Sequence, residues 1–300
     1  MKRKAQDSSN TLKRIEKMER YEIEAKNFDL ELTLTCGQTF CWNRINGDLY
    51  GEGPKKFYTF RKGKPLIVEQ ENNTIIAETE LPEKEVKNAL SLNHDLEEIY
   101  ATFPSDEKLE KARNELEGLR IIQDEFFPCL ISYLCSPQMQ IPRIKQMHDE
   151  IAKEYGETVK YAGEELVRFP DMEELSEASE ADLRDLGLGY RAKYVANTLE
   201  ILQEEGLSIS SDYEEAREDL KKLYGVGDKV ADCVLLFSLE FLEAYPLDTW
   251  ALKSAEKHYS ELHSDDYEEA SKNLREYFGP YSGYAQEYLF HAARKGIIEV

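Results

Sequence analysis

The chain has 300 residues, of which 41% are hydrophobic and 11% aromatic. This composition can fill one large core or two smaller ones, which excludes global disorder and a small disulfide-stapled fold. No apolar run approaches the roughly 18 residues that a membrane helix needs, and no secretory leader opens the chain, so we expect a soluble intracellular protein. Sixty acidic against 38 basic residues give a net charge of −22, a field that by itself repels nucleic acid.

The cysteines and histidines indicate neither a disulfide framework nor a metal centre. The cysteines are odd in number, at positions 36, 41, 129, 135 and 233, and their spacing favours a reducing compartment. The histidines lack paired-ligand spacing, and no Walker-type phosphate loop is present. We therefore expect no metal and no other cofactor.

The N-terminal part reads as a basic segment followed by strands. Residues 1–20 carry seven basic and three acidic side chains and are predicted to form a mobile or helical arm. From Tyr21 to Thr79 the pattern is strand-like, because FDLELTLT alternates and KFYTFRK, PLIVEQ and NTIIAET are aromatic or β-branched. Residues 21–104 are therefore predicted to form an antiparallel β-rich domain with one covered face.

The remainder of the chain has a helical pattern. Beyond Leu81 and Pro82, apolar residues recur at helical spacing almost to the end, and caps and breaks separate roughly ten helices. Residues 105–300 are predicted to form an all-α domain. The predicted fold class is thus α+β, with an antiparallel sheet domain followed by a helical domain.

A helical hairpin at about residues 212–242 carries the strongest local signal. An amphipathic helix is followed by a short Gly-containing turn and then by an apolar helix that begins near Lys229. Gly225 and Gly227 permit a tight turn around Val226, and the free N–H groups at the start of the second helix suit a phosphate. An ordinary helix–turn–helix corner would have the same pattern.

Two side chains near this hairpin could carry chemistry. Lys229 places a primary amine beside an apolar helix face, a setting that suits a nucleophile. Asp248 opens the segment DTWALKSAEKHY, and a loop would bring its carboxylate back to the hairpin, where it could stabilise positive charge. A solvated lysine and a plain N-cap aspartate are the structural alternatives.

The motif GVGDKVAD followed by PLDTW resembles the helix–hairpin–helix DNA glycosylases of the Gly/Pro-Asp superfamily. More narrowly, the chain resembles the 8-oxoguanine DNA glycosylase/AP lyases from about Phe28 to Arg294, and this resemblance outweighs the net charge. The further matching blocks, in order, are FDLELTLTCGQTFCW, LRIIQDEFFPCLISYLCS, RFPDMEELSEASEADLRDLGLGYRAKY and GYAQEYLF. The resemblance implies that Lys229 attacks the sugar and forms a Schiff base, and that Asp248 stabilises the positive charge that develops on the sugar.

The resemblance also implies a pocket for a base flipped out of the duplex. The carbonyl of Gly37 would accept a hydrogen bond from N7–H, a donor that oxidation of guanine creates. Phe290 would stack on the base, and Gln286 would read its Watson–Crick edge from the same helix face. Cys233 would line the other side of the pocket. Without the resemblance, these residues would be read as a turn glycine and ordinary core positions.

Contacts to the base left opposite the lesion are implied as well. Tyr190 and Arg191 match the wedge and a cytosine contact, and Arg143 matches a second arginine that reads cytosine. Two positions depart from the family pattern: Gln138 stands where an asparagine contacts the estranged cytosine, and Trp250 replaces a histidine near the DNA backbone. No cysteine follows position 233, so the C-terminal iron–sulfur cluster of some relatives is not expected.

These observations predict a base-excision repair enzyme. It would excise 8-oxoguanine, and formamidopyrimidine guanine, opposite cytosine in duplex DNA, and would cleave the strand by β-elimination. Its partner would be double-stranded DNA containing oxidised guanine, with no membrane, no obligate protein partner and a monomeric state, and it would lie with the genomic DNA. Two alternatives stay open: a monofunctional alkylated-base glycosylase of the same superfamily, and a non-catalytic DNA-binding module.

Overall fold

Two sheets are present in the computed structural model, which describes residues 13–15 and 17–300. The strands are Lys13–Arg14 (β1), Glu19–Glu24 (β2), Asn43–Arg44 (β3), Lys56–Arg61 (β4), Lys64–Glu71 (β5), Thr74–Thr79 (β6), Glu157–Tyr161 (β7) and Glu164–Arg168 (β8). The larger sheet is antiparallel in the order β2-β6-β5-β4-β3. Its two tight hairpins turn through Lys62–Gly63 and Asn72–Asn73, where Lys62, Gly63 and Asn72 have positive φ, as two-residue hairpin loops require.

The rest of the described chain is mainly helical, which confirms the α+β prediction. Aspartate or serine caps many of these helices, for example Asp106, Ser179 and Asp212, whose side chains accept backbone N–H groups. The helices are Leu30–Thr35 (α1), Glu83–Ala89 (α2), Leu96–Ala101 (α3), Glu107–Glu115 (α4), Phe126–Leu134 (α5), Ile141–Tyr155 (α6), Met172–Leu175 (α7), Glu180–Leu183 (α8), Arg191–Glu204 (α9), Tyr213–Lys221 (α10), Asp228–Ser238 (α11), Thr249–His258 (α12), Tyr267–Phe278 (α13) and Ser282–Arg294 (α14).

The segment FDLELTLT is the helix α1, so its predicted strand character was wrong. Asp29 caps the helix by accepting a hydrogen bond from the N–H of Leu32 at 2.8 Å. The buried residues are Leu30, Thr33 and Leu34, a spacing of three and four that suits one face of a helix. The alternation in the sequence was compatible with a strand, whereas the aspartate cap and the packing of Leu30 and Leu34 beneath the sheet favour the helix.

The hairpin β7–β8 was not predicted, and it covers the second face of the larger sheet. One face packs on α1 and α2, whereas on the other face Tyr58 and Ile67 pack with Val159 and Leu166 of the hairpin. The sheet is therefore covered on both faces rather than one. β1 pairs in parallel with β7, so this part of the basic segment is a strand; residues 1–12 and 16 lie outside the described residues.

The chain between α1 and β3 crosses from the sheet to the helical core. Cys36 and Phe40 are buried among the helical-core residues, whereas Leu34 and Trp42 belong to the core beneath the sheet. This crossing brings the turn after α1 against the helical domain. The domain boundaries near residues 20 and 104 stay a prediction.

Candidate active site

A cleft of about 980 Å³ opens between the turn after α1 and the N-terminal ends of α6, α11 and α12. The helix α14 forms another of its walls. The sequence-predicted residues that line the cleft are Gly37, Gln138, Gly225, Gly227, Lys229, Cys233, Asp248, Gln286 and Phe290.

The amine of Lys229 is held inside this cleft. Lys229 lies in the first turn of α11, which begins after Gly227 without any side-chain cap. Its Nζ donates a hydrogen bond to Oγ of Ser136 at 3.3 Å and lies 5.0 Å from the ring centroid of Tyr133. The Tyr133 ring is itself fixed, because it stacks on Phe237 and its hydroxyl donates to the carbonyl oxygen of Gln38 at 2.6 Å. The nucleophile candidate therefore has a rigid aromatic wall on one side.

The carboxylate of Asp248 both caps α12 and lines the cleft. Its Oδ1 accepts hydrogen bonds from the N–H groups of Trp250 at 3.0 Å and Ala251 at 2.8 Å. Burial raises the pKa of Asp248, whereas these N–H groups and the charges of Lys229 and Arg294 act in the opposite direction. The capping alternative considered from the sequence is thus true of this residue, and it does not remove the carboxylate from the cleft.

The hairpin turn requires glycine at one position and leaves backbone open at another. Gly225 has φ +88°, and a Cβ there would lie 2.5 Å from Cγ of Tyr194. A Cβ on Gly227 would meet nothing within 4 Å, so this end of α11 faces open space. Val226 is buried in the helical core and anchors the turn. This geometry leaves the N-terminal end of α11 accessible to an anion.

Three of the four residues predicted to form a base pocket lie on α14 and in the turn after α1. Gln286 and Phe290 lie one helical turn apart and both line the cleft, and Oε1 of Gln286 has no hydrogen-bond partner among the described residues. A side chain at Gly37 would not fit, since φ is +112° and a Cβ would lie 2.5 Å from Nη1 of Arg294. Burial raises the pKa of the Cys233 thiol to about 12, so this wall of the pocket is uncharged at neutral pH.

Comparisons with known proteins show the family to which this chain belongs. Residues 20–130 match the family model of the 8-oxoguanine DNA glycosylase N-terminal domain, and residues 131–280 match that of the HhH-GPD superfamily of base excision DNA repair proteins. The chain belongs to the 8-oxoguanine DNA glycosylases of the HhH-GPD superfamily. A probable N-glycosylase/DNA lyase of Methanothermobacter thermautotrophicus is 31% identical, covering 92% of this chain and 97% of that protein.

Two further relatives of the glycosylase are informative. Arabidopsis thaliana N-glycosylase/DNA lyase OGG1 is 29% identical, covering 88% of this chain and 76% of that protein. The Clostridium acetobutylicum 8-oxoguanine glycosylase/lyase was solved with double-stranded DNA containing cytosine opposite 8-oxoguanine. The two chains are 30% identical and superimpose with a TM-score of 0.81. The match covers 94% of this chain and 98% of the clostridial chain.

Three of the residues expected to contact the estranged base donate hydrogen bonds to the backbone carbonyl oxygens of Pro137 and Gly187. Arg191 donates from Nε to the carbonyl oxygen of Pro137 at 3.0 Å, and its guanidinium lies over the Tyr190 ring at 4.4 Å. Tyr190 is 41% exposed and available to a duplex. Arg143 donates to the carbonyl oxygen of Gly187 at 2.9 Å. These three side chains do not line the cleft, and Arg191 must leave Pro137 before it can contact cytosine.

Gln138, which stands where the family pattern has asparagine, adopts a backbone conformation that suits asparagine. Gln138 has φ +55°, a left-handed conformation that asparagine adopts more readily than most residues. It follows Pro137 directly and lines the cleft. The turn therefore keeps the backbone geometry that suits asparagine while presenting a longer amide.

A buried hydrogen-bond network supports the turn that carries Asp248. The Oδ1 of Asp232, on α11, accepts from Tyr213 at 2.8 Å and from Nε of Arg217 at 2.9 Å. Its Oδ2 accepts from the hydroxyl of Tyr267 at 2.7 Å, and that hydroxyl accepts from the N–H of Leu247 at 3.1 Å. The glycosylase thus connects both helices of its hairpin to the residue before Asp248. Sequence reasoning missed this network; the charged Asp232 within an apolar helix was the available signal.

Tyr267→Phe tests whether this network positions the catalytic turn. We expect kcat for base excision to fall about tenfold while KM changes less than twofold, because the N–H of Leu247 loses its acceptor and the turn relaxes. Steady-state kinetics on an 8-oxoguanine·cytosine duplex measure both constants. Tyr161→Phe removes a hydroxyl on β7, outside the cleft, and serves as the control. Equal changes in kcat and KM, or none, would show that the network only stabilises the fold.

A carboxyl group in the pocket was also missed. Glu287 follows Gln286 on α14, lines the cleft and is only 2% exposed. Burial raises the pKa of Glu287 to about 8; Asp248 acts in the same direction, and Cys36 and Arg294 in the opposite one. The signal in the sequence was one acidic residue within the apolar run GYAQEYLF.

Glu287→Gln should flatten the pH dependence of stability. In the folded state Glu287 keeps its proton up to its raised pKa of about 8. In the unfolded chain the same carboxyl releases the proton above its ordinary pKa near 4.5. The free energy of unfolding of the wild type therefore falls relative to the variant as pH rises from about 4.5 to 8, by up to about 1.4 kcal/mol per pH unit. Urea denaturation of both proteins at pH 5, 6, 7 and 8 measures the difference. Parallel curves would contradict the shifted pKa.

The described residues contain neither a metal centre nor a membrane-spanning helix. None of their groups of three or more His, Cys, Asp and Glu side chains is arranged to hold a metal ion. No helix in the described part of the glycosylase is long and apolar enough to cross a membrane.

Proposed function

We propose that this protein excises 8-oxoguanine opposite cytosine from duplex DNA and then cleaves the strand as an AP lyase. The observation that carries the proposal is that Lys229 and Asp248 line one cleft together with Gly37, Gln286 and Phe290. A nucleophilic amine, a stabilising carboxylate and a base pocket are therefore contiguous, as the reaction requires.

The chemistry follows from these positions. The amine of Lys229 attacks C1′ of the flipped nucleotide as the C1′–N9 bond breaks, and the proton that the amine loses is taken up by the leaving purine. The sugar ring opens to a Schiff base with Lys229, and loss of a C2′ proton expels the 3′ phosphate. Asp248 stabilises the positive charge on the sugar in the first step, where burial of the carboxylate strengthens the interaction.

Recognition of the base uses one group that a normal guanine does not satisfy, the carbonyl of Gly37, together with contacts that any guanine ring could make. The carbonyl of Gly37 accepts a hydrogen bond from N7–H, Gln286 pairs with the Watson–Crick edge, and Phe290 stacks on the ring. Cys233 closes the opposite side. Formamidopyrimidine guanine presents a comparable donor and is a second substrate of this pocket.

The DNA outside the pocket is held at two places. The turn of Gly225, Val226 and Gly227 presents the positive end of α11 to a phosphate. Tyr190 enters the gap in the base stack, while Gln138, Arg143 and Arg191 contact the estranged cytosine. The protein acts as a monomer without a cofactor, inside the cell and with the genomic DNA.

The proposal is tested with three duplexes that carry 8-oxoguanine opposite cytosine, an alkylated purine, or no lesion. We expect base release and a borohydride-trapped covalent adduct with the oxidised duplex alone. Release of the alkylated base without an adduct would identify a monofunctional glycosylase instead. Tight binding of the oxidised duplex without release would identify a non-catalytic DNA-binding module.

A further inference from the structure

The acidic side chain of Glu287 is buried, lines the cleft and has no role in the mechanism above. Glu287, Phe290 and Arg294 share one face of α14, and all three line the cleft. Arg294 donates to the carbonyl oxygen of Cys36, so this face of the helix contacts the residue immediately before Gly37. The carboxyl group is thus next to the part of the pocket where N7 of the base is proposed to lie.

One oxygen of this carboxyl group lacks a partner. Oε1 is buried and has no hydrogen-bond partner among the described residues, and the nearby thiol of Cys36 donates to the carbonyl oxygen of Thr33 at 3.2 Å. The charged groups that act on the carboxyl are Arg294 on its own helix and Asp248 at the start of α12. A buried carboxylate with an unsatisfied oxygen is costly, so the neutral acid is the stable form. A proton carried on Oε1 then gives an O–H donor that lacks an acceptor among the described residues.

The unpaired donor of Glu287 indicates that the ligand presents a hydrogen-bond acceptor to this part of the pocket. 8-Oxoguanine carries keto oxygens at C6 and C8, and guanine carries only the first. In the proposed function Gln286 occupies the edge that includes C6, and Gly37 reads N7, to which C8 is bonded. We propose that Glu287 is a specificity-determining residue of the glycosylase that donates a hydrogen bond from its carboxylic acid to the C8 keto oxygen. This inference rests on the proposed function and adds a second contact to the oxidised edge of the base.

The test compares Glu287→Leu with Glu287→Gln, since the amide of glutamine retains a donor and leucine does not. Both are made in a Lys229→Gln background, so that no turnover occurs, and binding is measured for matched duplexes with 8-oxoguanine or guanine opposite cytosine. The expected result for leucine is a loss of about tenfold in the preference for 8-oxoguanine, with binding of the guanine duplex unchanged. The glutamine variant should keep the preference within about threefold. Leucine at this position removes an unsatisfied polar group, so the variant is expected to fold.

The outcomes separate this inference from the proposed function. Excision of 8-oxoguanine by the otherwise unmodified protein, together with an unchanged preference in the leucine variant, would overturn the role of Glu287 alone. Equal losses in the leucine and glutamine variants would also overturn it, because a donor would then not be what the pocket requires. Failure of the unmodified protein to release 8-oxoguanine would instead overturn the proposed function.

Discussion

Lys229→Gln should abolish both the covalent adduct with 8-oxoguanine DNA and strand cleavage, and base release should fall by about 10³-fold or more. Glutamine is close to lysine in length and can still contact Oγ of Ser136 and the Tyr133 ring. Its amide cannot form a Schiff base. The effect on chemistry should therefore exceed any effect on folding or DNA binding. Borohydride trapping and single-turnover base release on an 8-oxoguanine·cytosine duplex measure these effects.

Lys222→Gln provides the matched control for this experiment. Lys222 is a neighbouring lysine at the end of α10 that pairs with Asp219 at 2.7 Å and does not line the cleft. The control makes the same change of charge close to the same hairpin, and adduct formation at saturating enzyme should persist. Full base release by Lys229→Gln would show that water, and not this amine, is the nucleophile, which would favour a monofunctional glycosylase.

The hairpin could be predicted because its requirements are local. Gly225 adopts φ +88° against the ring of Tyr194, and a short Gly-x-Gly turn between two helical patterns is enough to identify such a corner. The start of α12 at Asp248 was predictable for the same reason, because a helix cap is chosen by residues that are adjacent in sequence. The sequence suggested only that a loop could bring that carboxylate back to the hairpin, and the resemblance to a family paired it with Lys229.

Elements that depend on tertiary packing were harder to predict. The short helix α1 has an alternating pattern, and its choice between helix and strand depends on Leu30 and Leu34 fitting beneath the sheet. The hairpin β7–β8 is short and partly polar, so its pattern does not stand out within a helical region. Its stability comes from Val159 and Leu166 packing on Tyr58 of a distant strand.

The site residues that were missed have long-range partners. Oγ of Ser136 lies 3.3 Å from Nζ of Lys229 although 93 positions separate the residues. Glu287 is one acidic residue within the apolar run GYAQEYLF, and its burial in the cleft depends on α14 packing against the turn after α1, where Arg294 contacts Cys36. Sequence spacing identifies neighbours on one helix face, but it does not identify which surface that face contacts.

Asp248→Asn should separate helix capping from chemistry. Asparagine caps helices about as well as aspartate, so its side-chain oxygen can still accept from the N–H groups of Trp250 and Ala251. The free energy of unfolding should therefore change by less than about 1 kcal/mol. The negative charge next to the reacting sugar is lost, and base excision should fall by about 10² to 10³-fold. Urea denaturation and single-turnover base release measure the two effects.

Asp212→Asn makes the same substitution at another helix cap of the same chain. Asp212 caps α10 by accepting from the N–H of Glu215 at 3.1 Å, and it does not line the cleft. Both variants should thus keep their stability, whereas only the change at Asp248 should slow excision. The difference isolates the carboxylate charge, because cap geometry, residue volume and net charge change equally in the two proteins. Equal rates in the two variants would reduce Asp248 to a structural cap and leave the positive charge on the sugar without a stabilising group in this cleft.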